Sequence, residues 1–449
     1  MLLEFENIAK VKKAAIEMTD ITVITGVNNS GKSTVGKLVY ALSAGIALYQ
    51  GNYLFSLKYT LIMEELENLE RWVDSETFPA VNALRRELQT VLYRMQRKAN
   101  ELEQREVFAE DAYLAEKIAQ LLNMLQKKMA TYLKWSNRPQ LAAIIKTIQQ
   151  QQRRDFLDQK VTAALFDRLL RQEFSNYLIS DVSFAKSAVL SIKEENNDQL
   201  LLNYKNNRLD EYQCLFQLSQ PYQEAIYLDD AFLLENLSSS IEEKVFGAAP
   251  SEKLQLVSEA PHRRRLLEQI KHRKPEEKYL RDKRIKAIFA EILSGGLMLK
   301  HGSYYFFQKN AAKGIPFDAL SSGMKTFAVL QLIIENGLVM DSDYLILEEP
   351  EVHLHPQWQV KLAELIVYLS TVYSTKVLVT SHSPYFIEAL SIYSAKQKQP
   401  TRIKFYNAQL DKKELGTSTI VDVTDQLETI YAEMYRSLIY LEELRAELD

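Results

Sequence analysis

Apolar residues recur every three or four positions along two stretches in the first third of the chain. Val81, Leu84, Leu88, Val91, Met95, Ala99 and Leu102 form one stripe, and Leu114, Ile118, Leu121, Leu125, Met129 and Leu133 form the other. That spacing places each set on one face of an α-helix. Residues 53–182 contain no glycine and only two prolines, Pro79 and Pro139, so little in the stretch interrupts a helix. The pattern predicts an antiparallel helical hairpin with a bend at Val107, Phe108 and Ala109, and further helices around 141–148 and 161–170.

The ends of the chain follow another rule. Short β-branched or continuously apolar runs at 2–5, 20–25, 344–347 and 377–380 predict strands, several of them buried on both faces. Segments 187–193, 199–204 and 212–217 predict short strands separated by Asn-rich turns, hence a small antiparallel sheet. Two more strands are expected at 403–406 and 419–423. A terminal amphipathic helix would carry Leu427, Ile430, Met434, Leu438 and Leu441 on one stripe. The fold class is therefore α/β. A discontinuous head of 1–50 and 180–449 would hold a mixed and parallel sheet flanked by helices. A helical insertion would occupy 51–179.

Composition narrows the function classes. The chain has 449 residues, 47% hydrophobic and 25% charged, with a net charge of −4. No global field favours nucleic acid or an anionic membrane surface. No apolar run approaches the ~18 residues of a membrane span. The charged residues Glu4, Glu6, Lys10, Lys12 and Lys13 exclude a secretory h-region at the start. Cys214 is the single cysteine, which suits a reducing cytoplasm. Residues 81–160 hold fifteen Lys or Arg against nine Asp or Glu. Without interleaved aromatic residues this reads as a solvated helical face rather than a nucleic-acid surface. Segment 262–286 holds eleven Lys or Arg against four acids. Its Arg263, Arg264 and Arg265 fit phosphate contacts and a solvated helix face equally well.

Chemistry enters at residues 26–33, GVNNSGKS, which match the phosphate-loop pattern G-x-x-x-x-G-K-[ST]. Gly26 and Gly31 allow the tight turn that aims backbone N–H groups at phosphate oxygens. Lys32 would reach the β- and γ-phosphates, and the Ser33 hydroxyl would ligate Mg²⁺. A predicted strand precedes the loop and a predicted helix follows, so the helix dipole also favours phosphate. Far along the chain, 343–351 read DYLILEEPE. An apolar strand ending directly in acids suits the second half of a nucleotide site, on a strand neighbouring that of the phosphate loop. Glu348 would hold Mg²⁺ through water, and Glu349 would polarise the attacking water. His353 and His355, with Glu349 and Glu351, also have the spacing of a metal cluster, a weaker reading.

The order of GVNNSGKST, LSSGMK, LILEEPEVHLHPQWQ and VTSHSP resembles the ATP-binding-cassette (ABC) class of ATPases. Within it, the HLHP element makes the chain similar to the OLD-like prokaryotic ATPases. That group includes ATPase subunits of phage-defence systems such as Gabija, Septu and PARIS and, more distantly, SMC and RecF heads. The motif-bearing resemblance covers roughly 1–45 and 285–390. It implies ATP rather than GTP as the nucleotide. Gly26, Asn29, Gly31, Lys32, Ser33 and Thr34 would form the phosphate loop. Ser321 and Gly323 would match the cassette signature, which in this class meets the γ-phosphate bound to another copy. His382 would be the switch histidine. Lys32, Glu349 and His382 thus become the candidate catalytic residues, Ser33 and Glu348 the candidate metal ligands, and a homodimer or higher homo-oligomer the candidate assembly.

The sequence departs from the family at several points. Glu348 stands where the family usually has Asp, so slow hydrolysis is expected. Ser322 and Met324 replace the common Gly and Gln of the signature. Gln217 is a weak candidate for the Q-loop glutamine. A transporter subunit would place phosphate loop and signature in one compact unit, but 289 residues separate Lys32 from Ser321. A RecF- or SMC-like DNA-binding repair ATPase is the alternative reading, and it leaves a nucleic-acid partner open. Only 67 residues follow His382, too few for a Toprim nuclease domain. The expectation is a cytoplasmic ATPase, without a membrane partner, that regulates a separate nuclease or toxin chain in antiviral defence.

Overall fold

The computed structural model describes residues 1–50, 53–97, 104–131, 138–152, 159–179, 185–194, 199–215, 225–235, 260–273, 275–276, 282–300, 302–340, 342–397, 401–414 and 416–446. The chain divides into two compact units. One comprises Met1–Ala44, Phe166–Gln217 and Gln223–Asp449, and the other is built on Gly45–Leu165.

The first unit opens with β1 (Leu2–Ile8), β2 (Val11–Glu17) and β3 (Ile21–Thr25), followed by α1 (Lys32–Gln50), which continues into the second unit. The second unit carries α2 (Tyr53–Glu70), α3 (Phe78–Arg97), α4 (Gln104–Thr131) and α5 (Arg138–Gln152). Its core gathers Tyr59, Ile62, Leu66, Val81, Leu88, Leu114, Ile118, Leu125 and Ile148, so Val81, Leu88, Leu114, Ile118 and Leu125 of the two predicted stripes face inward. Lys128 near the end of α4 bonds Glu76 just before α3, while Tyr113 near its start bonds Glu87 within α3. The two helices are therefore antiparallel. Val107, Phe108 and Ala109 lie inside α4 rather than in a bend. Residues 98–103, with Ala99 and Leu102 of the first stripe, and Leu133 of the second lie outside the described residues.

The chain re-enters the first unit along α6 (Gln159–Glu173) and proceeds to β4 (Ser187–Lys193), β5 (Gln199–Lys205), β6 (Arg208–Leu215) and β7 (Ile226–Leu228). It continues through α7 (Pro261–His272), α8 (Lys283–Ile292), β8 (Gly295–Lys300), β9 (Ser303–Gln308), β10 (Ile315–Pro316) and α9 (Ser322–Glu335). Then come β11 (Tyr344–Glu348), α10 (Pro356–Tyr373), β12 (Lys376–Ser381), α11 (Pro384–Ala395), β13 (Ile403–Leu410), β14 (Ser418–Asp422), α12 (Leu427–Met434) and α13 (Arg436–Ala446).

One eleven-stranded sheet runs β6-β5-β4-β1-β2-β14-β13-β3-β12-β11-β7. The strands from β13 to β7 are parallel, and β1, β2, β4, β5 and β6 pair antiparallel. The strands at 187–215 form the expected antiparallel stretch, continuous with the parallel half through β1 and β2. Asn206 and Asn207 adopt positive φ in the turn between β5 and β6, a conformation Asn tolerates. A separate antiparallel sheet does form, from β8, β9 and β10. Strands β3, β11 and β12 are buried at nearly every position, as strands covered on both faces are.

Two expectations are corrected. Strand β11 is not a neighbour of β3, because β12 lies between them. The terminal stripe is not one helix. It breaks at Tyr435, with Ile430 buried on α12 and Leu441 exposed on α13.

The core beside the sheet includes Phe327 of α9, fully buried and edge-on to both Phe289 and Trp358, with ring centroids 6.3 and 5.9 Å away. Phe327→Ala is expected to lower unfolding stability by about 3–5 kcal/mol, read as a lower denaturant midpoint at unchanged slope.

Candidate functional site

Parallel pairing aligns the C-terminal ends of three strands. Thr25 of β3 pairs with Ser381 of β12, and Thr380 of β12 pairs with Glu348 of β11. The loops leaving these ends therefore begin side by side, where ligands of open α/β sheets bind. One loop carries residues 26–31, the second carries Glu349, Glu351 and His353, and the third carries His382.

The first loop turns as its glycines require. Gly26 and Gly31 have φ of 138° and 90°, a region closed to other L-residues without strain. A Cβ on Gly31 would also lie 2.6 Å from Val11 Cγ2. Asn29 adopts φ 64° and accepts a hydrogen bond from Lys10. Lys32 is buried, and its Nζ donates to the carbonyls of Gly26 and Val27 at 2.9 and 3.1 Å. Thr34 is buried one residue beyond Ser33 in the first turn of α1. Ser30 Oγ is buried with no hydrogen-bond partner among the described residues.

The acids meet this loop directly. Ser33 Oγ donates to Glu348 Oε1. Lys32 Nζ lies 3.1 Å from Glu349 Oε1. Glu349 holds φ of 43°, a conformation that costs a non-glycine residue of order 1 kcal/mol or more. Its N–H is fixed by the Thr380 carbonyl at 3.0 Å and the Thr380 hydroxyl at 3.1 Å. His382 Nδ1 stands 3.4 Å from Glu349 Oε1. The hydrogen bond from His382, together with Lys32, holds the Glu349 carboxyl down at about 2 against the opposing effect of burial. The same pairing raises the His382 pKa.

Glu351 is a residue whose role the sequence reading missed. It is buried, and its Oε1 accepts from Ser381 Oγ at 2.6 Å and from the His382 N–H at 3.1 Å. Burial pushes its carboxyl up. It braces the turn carrying His382 rather than joining a metal cluster with His353 and His355. Among the described residues, no group of three or more His, Cys, Asp or Glu side chains is placed to hold a metal ion. His355 instead caps α10, accepting from the Gln357 N–H at 3.3 Å.

A second missed set lies behind the acids. Tyr227 on β7 is buried and donates from its hydroxyl to Glu348 Oε2 at 2.5 Å. Its ring stacks on His262, with centroids 4.3 Å apart and planes 26° apart. His262 is buried between two carboxylates, Nδ1 at 2.7 Å from Glu173 and Nε2 at 3.0 Å from Asp229. Burial alone would lower its pKa, but Asp229 and Glu173 outweigh it and push the ring up to about 9. Arg263 joins Asp229 at 2.8 Å and Arg265 joins Glu268 at 3.6 Å. The basic run is thus partly engaged within the chain. The only sequence signal for this set was one histidine opening the run.

The raised pKa of His262 makes a stability prediction. The contribution is fully present below the unfolded value near 6.5 and is lost as pH rises through about 9. It is of order 3 kcal/mol. The melting temperature of the wild type should fall between pH 6.5 and 9.5, and that of His262→Gln should start lower and fall less.

Ser321 is the N-terminal flanking residue of α9, and Gly323 lies in its first turn. A Cβ on Gly323 would stand 3.1 Å from Trp358 and 3.2 Å from the His353 carbonyl. Gly323 therefore packs against the segment that follows the acids. No hydrogen bond among the described residues joins Ser321 or Gly323 to residues 26–34. A cleft of about 240 Å³ opens beside Asp229, Asp230, Phe232, Glu348, Glu349 and His353. Gln217 lies outside the described residues.

The donor set suits a triphosphate with a hard cation. A hydroxyl and a carboxylate converge at Ser33 and Glu348, the oxygen ligands Mg²⁺ takes alongside phosphates. The buried ammonium of Lys32 and the orphaned hydroxyl of Ser30 sit in the glycine-bearing loop that would receive the phosphates. These observations support the fit of ATP and Mg²⁺ to this edge of the sheet.

Comparison with known proteins gives three findings. A family described as "AAA domain, putative AbiEii toxin, Type IV TA system" matches residues 165–388. A Septu protein PtuA of Bacillus thuringiensis is 33% identical over 90 residues, covering 17% of this chain. The chain matches only 22% of the length of that relative. Among solved structures, an SMC head domain from Thermotoga maritima aligns over 94% of this chain and 98% of its own, at 12% identity and a TM-score of 0.36. An SMC head with a coiled coil and joint from Pyrococcus yayanosii aligns over 97% and 99%, at 12% identity and a TM-score of 0.35. Among the described residues, no helix is long and apolar enough to cross a membrane.

Proposed function

We propose that this chain is an ABC-class ATPase that binds Mg²⁺·ATP at residues 26–34 and hydrolyses it, and that nucleotide-driven self-association regulates a separate effector chain in prokaryotic antiviral defence. The observation that carries the ATPase reading is the convergence of Ser33 with Glu348 and of Lys32 with Glu349 and His382. These residues come from segments about 300 positions apart in sequence and meet at one end of the sheet.

The geometry supports the following roles. Backbone N–H groups of residues 26–34 would cradle the phosphates, with Asn29 at the turn and Thr34 anchoring the start of α1. Lys32 would exchange its Glu349 partner for phosphate oxygens. Ser33 and Glu348 would hold Mg²⁺, which supplies charge neutralisation across the β- and γ-phosphates. Glu349, released from Lys32, would orient and polarise the attacking water. Loss of Lys32 to the phosphates would relax the low pKa that this pairing imposes on Glu349 and move it toward the range of a working base. His382, tied to Glu349 on one side and to the Glu351 brace through its own N–H, would hold that carboxylate in place.

Ser321 and Gly323 would complete the site on another copy. Their place at the start of a helix suits a γ-phosphate, because backbone N–H groups and the helix dipole point outward there. The effector role is supported by the toxin–antitoxin description of the matched family and by the short likeness to a Septu protein.

The ATPase reading is tested by phosphate release with ATP, in Mg²⁺ and in EDTA. Mg²⁺-dependent release with ATP-dependent dimerisation by light scattering is the expected result. Absence of both would end it. The effector reading is tested by what co-purifies from expression with the neighbouring genes. A reproducible nuclease or toxin chain is expected. Tight DNA binding by the isolated protein, with no partner chain, would overturn the effector reading.

A further inference from the structure

The extra methylene of Glu348 raises a physical question that its surroundings answer. A glutamate has one more rotatable bond than an aspartate. A metal-holding carboxylate left to sample that torsion would lose precision at its ligand position. Here both oxygens are engaged. Oε1 accepts from Ser33, and Oε2 accepts from the Tyr227 hydroxyl at 2.5 Å.

Tyr227 is in turn held from several directions. Its ring stacks on His262, whose Nδ1 and Nε2 lie 2.7 and 3.0 Å from carboxylate oxygens of Glu173 and Asp229. Tyr40 of α1 packs against both rings, 6.1 Å from Tyr227 and 5.7 Å from His262. The hydroxyl itself points toward α1 at Gly36. A Cβ on Gly36 would lie 3.0 Å from the Tyr227 oxygen and 3.1 Å from its Cζ. Glycine inside a helix is destabilising relative to alanine. At position 36 the missing side chain leaves room for the phenol.

We propose that Tyr227 is a positioning residue for the metal site, fixing the longer Glu348 side chain so that its other oxygen faces Ser33, with Gly36 providing the space. The inference rests on the reading of Glu348 as the Mg²⁺-holding acid. In this role Tyr227 would act through Glu348, whose Oε2 its hydroxyl meets. Partners of this kind typically contribute 10- to 100-fold in metal affinity.

The test uses the full chain and Mn²⁺ as the probe. ATP affinity is first measured by calorimetry in EDTA. Mn²⁺ affinity of the ATP complex is then measured by electron paramagnetic resonance. Tyr227→Phe is expected to weaken Mn²⁺ binding about tenfold or more, with ATP affinity in EDTA and melting temperature near wild type. Gly36→Ala, which crowds the phenol from the other side, is expected to shift Mn²⁺ affinity in the same direction. In a Glu348→Asp background, whose shorter side chain withdraws from the phenol, Tyr227→Phe should add little. Unchanged Mn²⁺ affinity in both single variants would overturn the proposal while leaving ATP binding intact. If the wild type binds no ATP even in EDTA, the proposed function falls, and this inference falls with it.

Discussion

Glu349→Gln is expected to reduce ATP turnover by at least about a hundredfold while ATP binding is retained or tightened. The first effect follows from the role proposed for the carboxylate, since loss of a general base typically costs 10²–10⁴ in rate. The second follows from the Lys32 contact. In this structure Glu349 Oε1 lies 3.1 Å from Lys32 Nζ, so the carboxylate competes with phosphate for the same ammonium. An amide keeps the shape and removes the negative charge, so Lys32 becomes easier to recruit. The backbone conformation should survive, because the Glu349 N–H bonds to Thr380 do not involve the side chain. Steady-state phosphate release and ATP-dependent dimerisation by light scattering check both halves. Turnover at the wild-type rate would remove Glu349 from the mechanism.

Lys32→Ala is expected to weaken ATP binding by roughly a hundredfold, about 3 kcal/mol, the scale of removing one partner from a buried charge pair. Lys32 is buried, and two loop carbonyls orient its Nζ. No water-exposed lysine could replace that preset direction. The substitution also removes the second support of the ionised Glu349, whose carboxyl should then titrate above its present value of about 2. His382 remains as its principal partner, so Glu349 should still be ionised at neutral pH. Calorimetry of ATP binding, with circular dichroism as a fold control, makes the measurement. Wild-type affinity in a folded variant would exclude Lys32 as the phosphate contact.

The legible parts of the site share a physical trait. Gly26, Gly31, Lys32 and Ser33 are neighbours in sequence, and their chemistry needs local turn geometry that the sequence itself encodes. Glu348 and Glu349 were readable because an apolar strand ends directly in acids. The supporting residues were not readable. Glu351 looked like one of several acids and histidines in a cluster, and its buried bonds to Ser381 and His382 exist only once β11 and β12 are paired. Nothing in the sequence pattern singled out Tyr227. Its hydroxyl matters because β7 pairs beside β11 and α1 presents Gly36 above it.

The fold divides in the same way. Amphipathic stripes determined α3 and α4, because helical periodicity is a local property of the side chains. Buried apolar runs likewise determined that β3, β11 and β12 are strands. What they could not determine was neighbour order. All three runs are apolar on both faces, so each would satisfy its backbone and bury its side chains beside any of the others. Only the tertiary structure decided that β12 stands between β3 and β11, that the strands at 187–215 extend the main sheet, and that the terminal stripe breaks at Tyr435. Hydrogen-bond pairing and helix packing are cooperative across the whole sheet, and they select among arrangements that local pattern leaves equal.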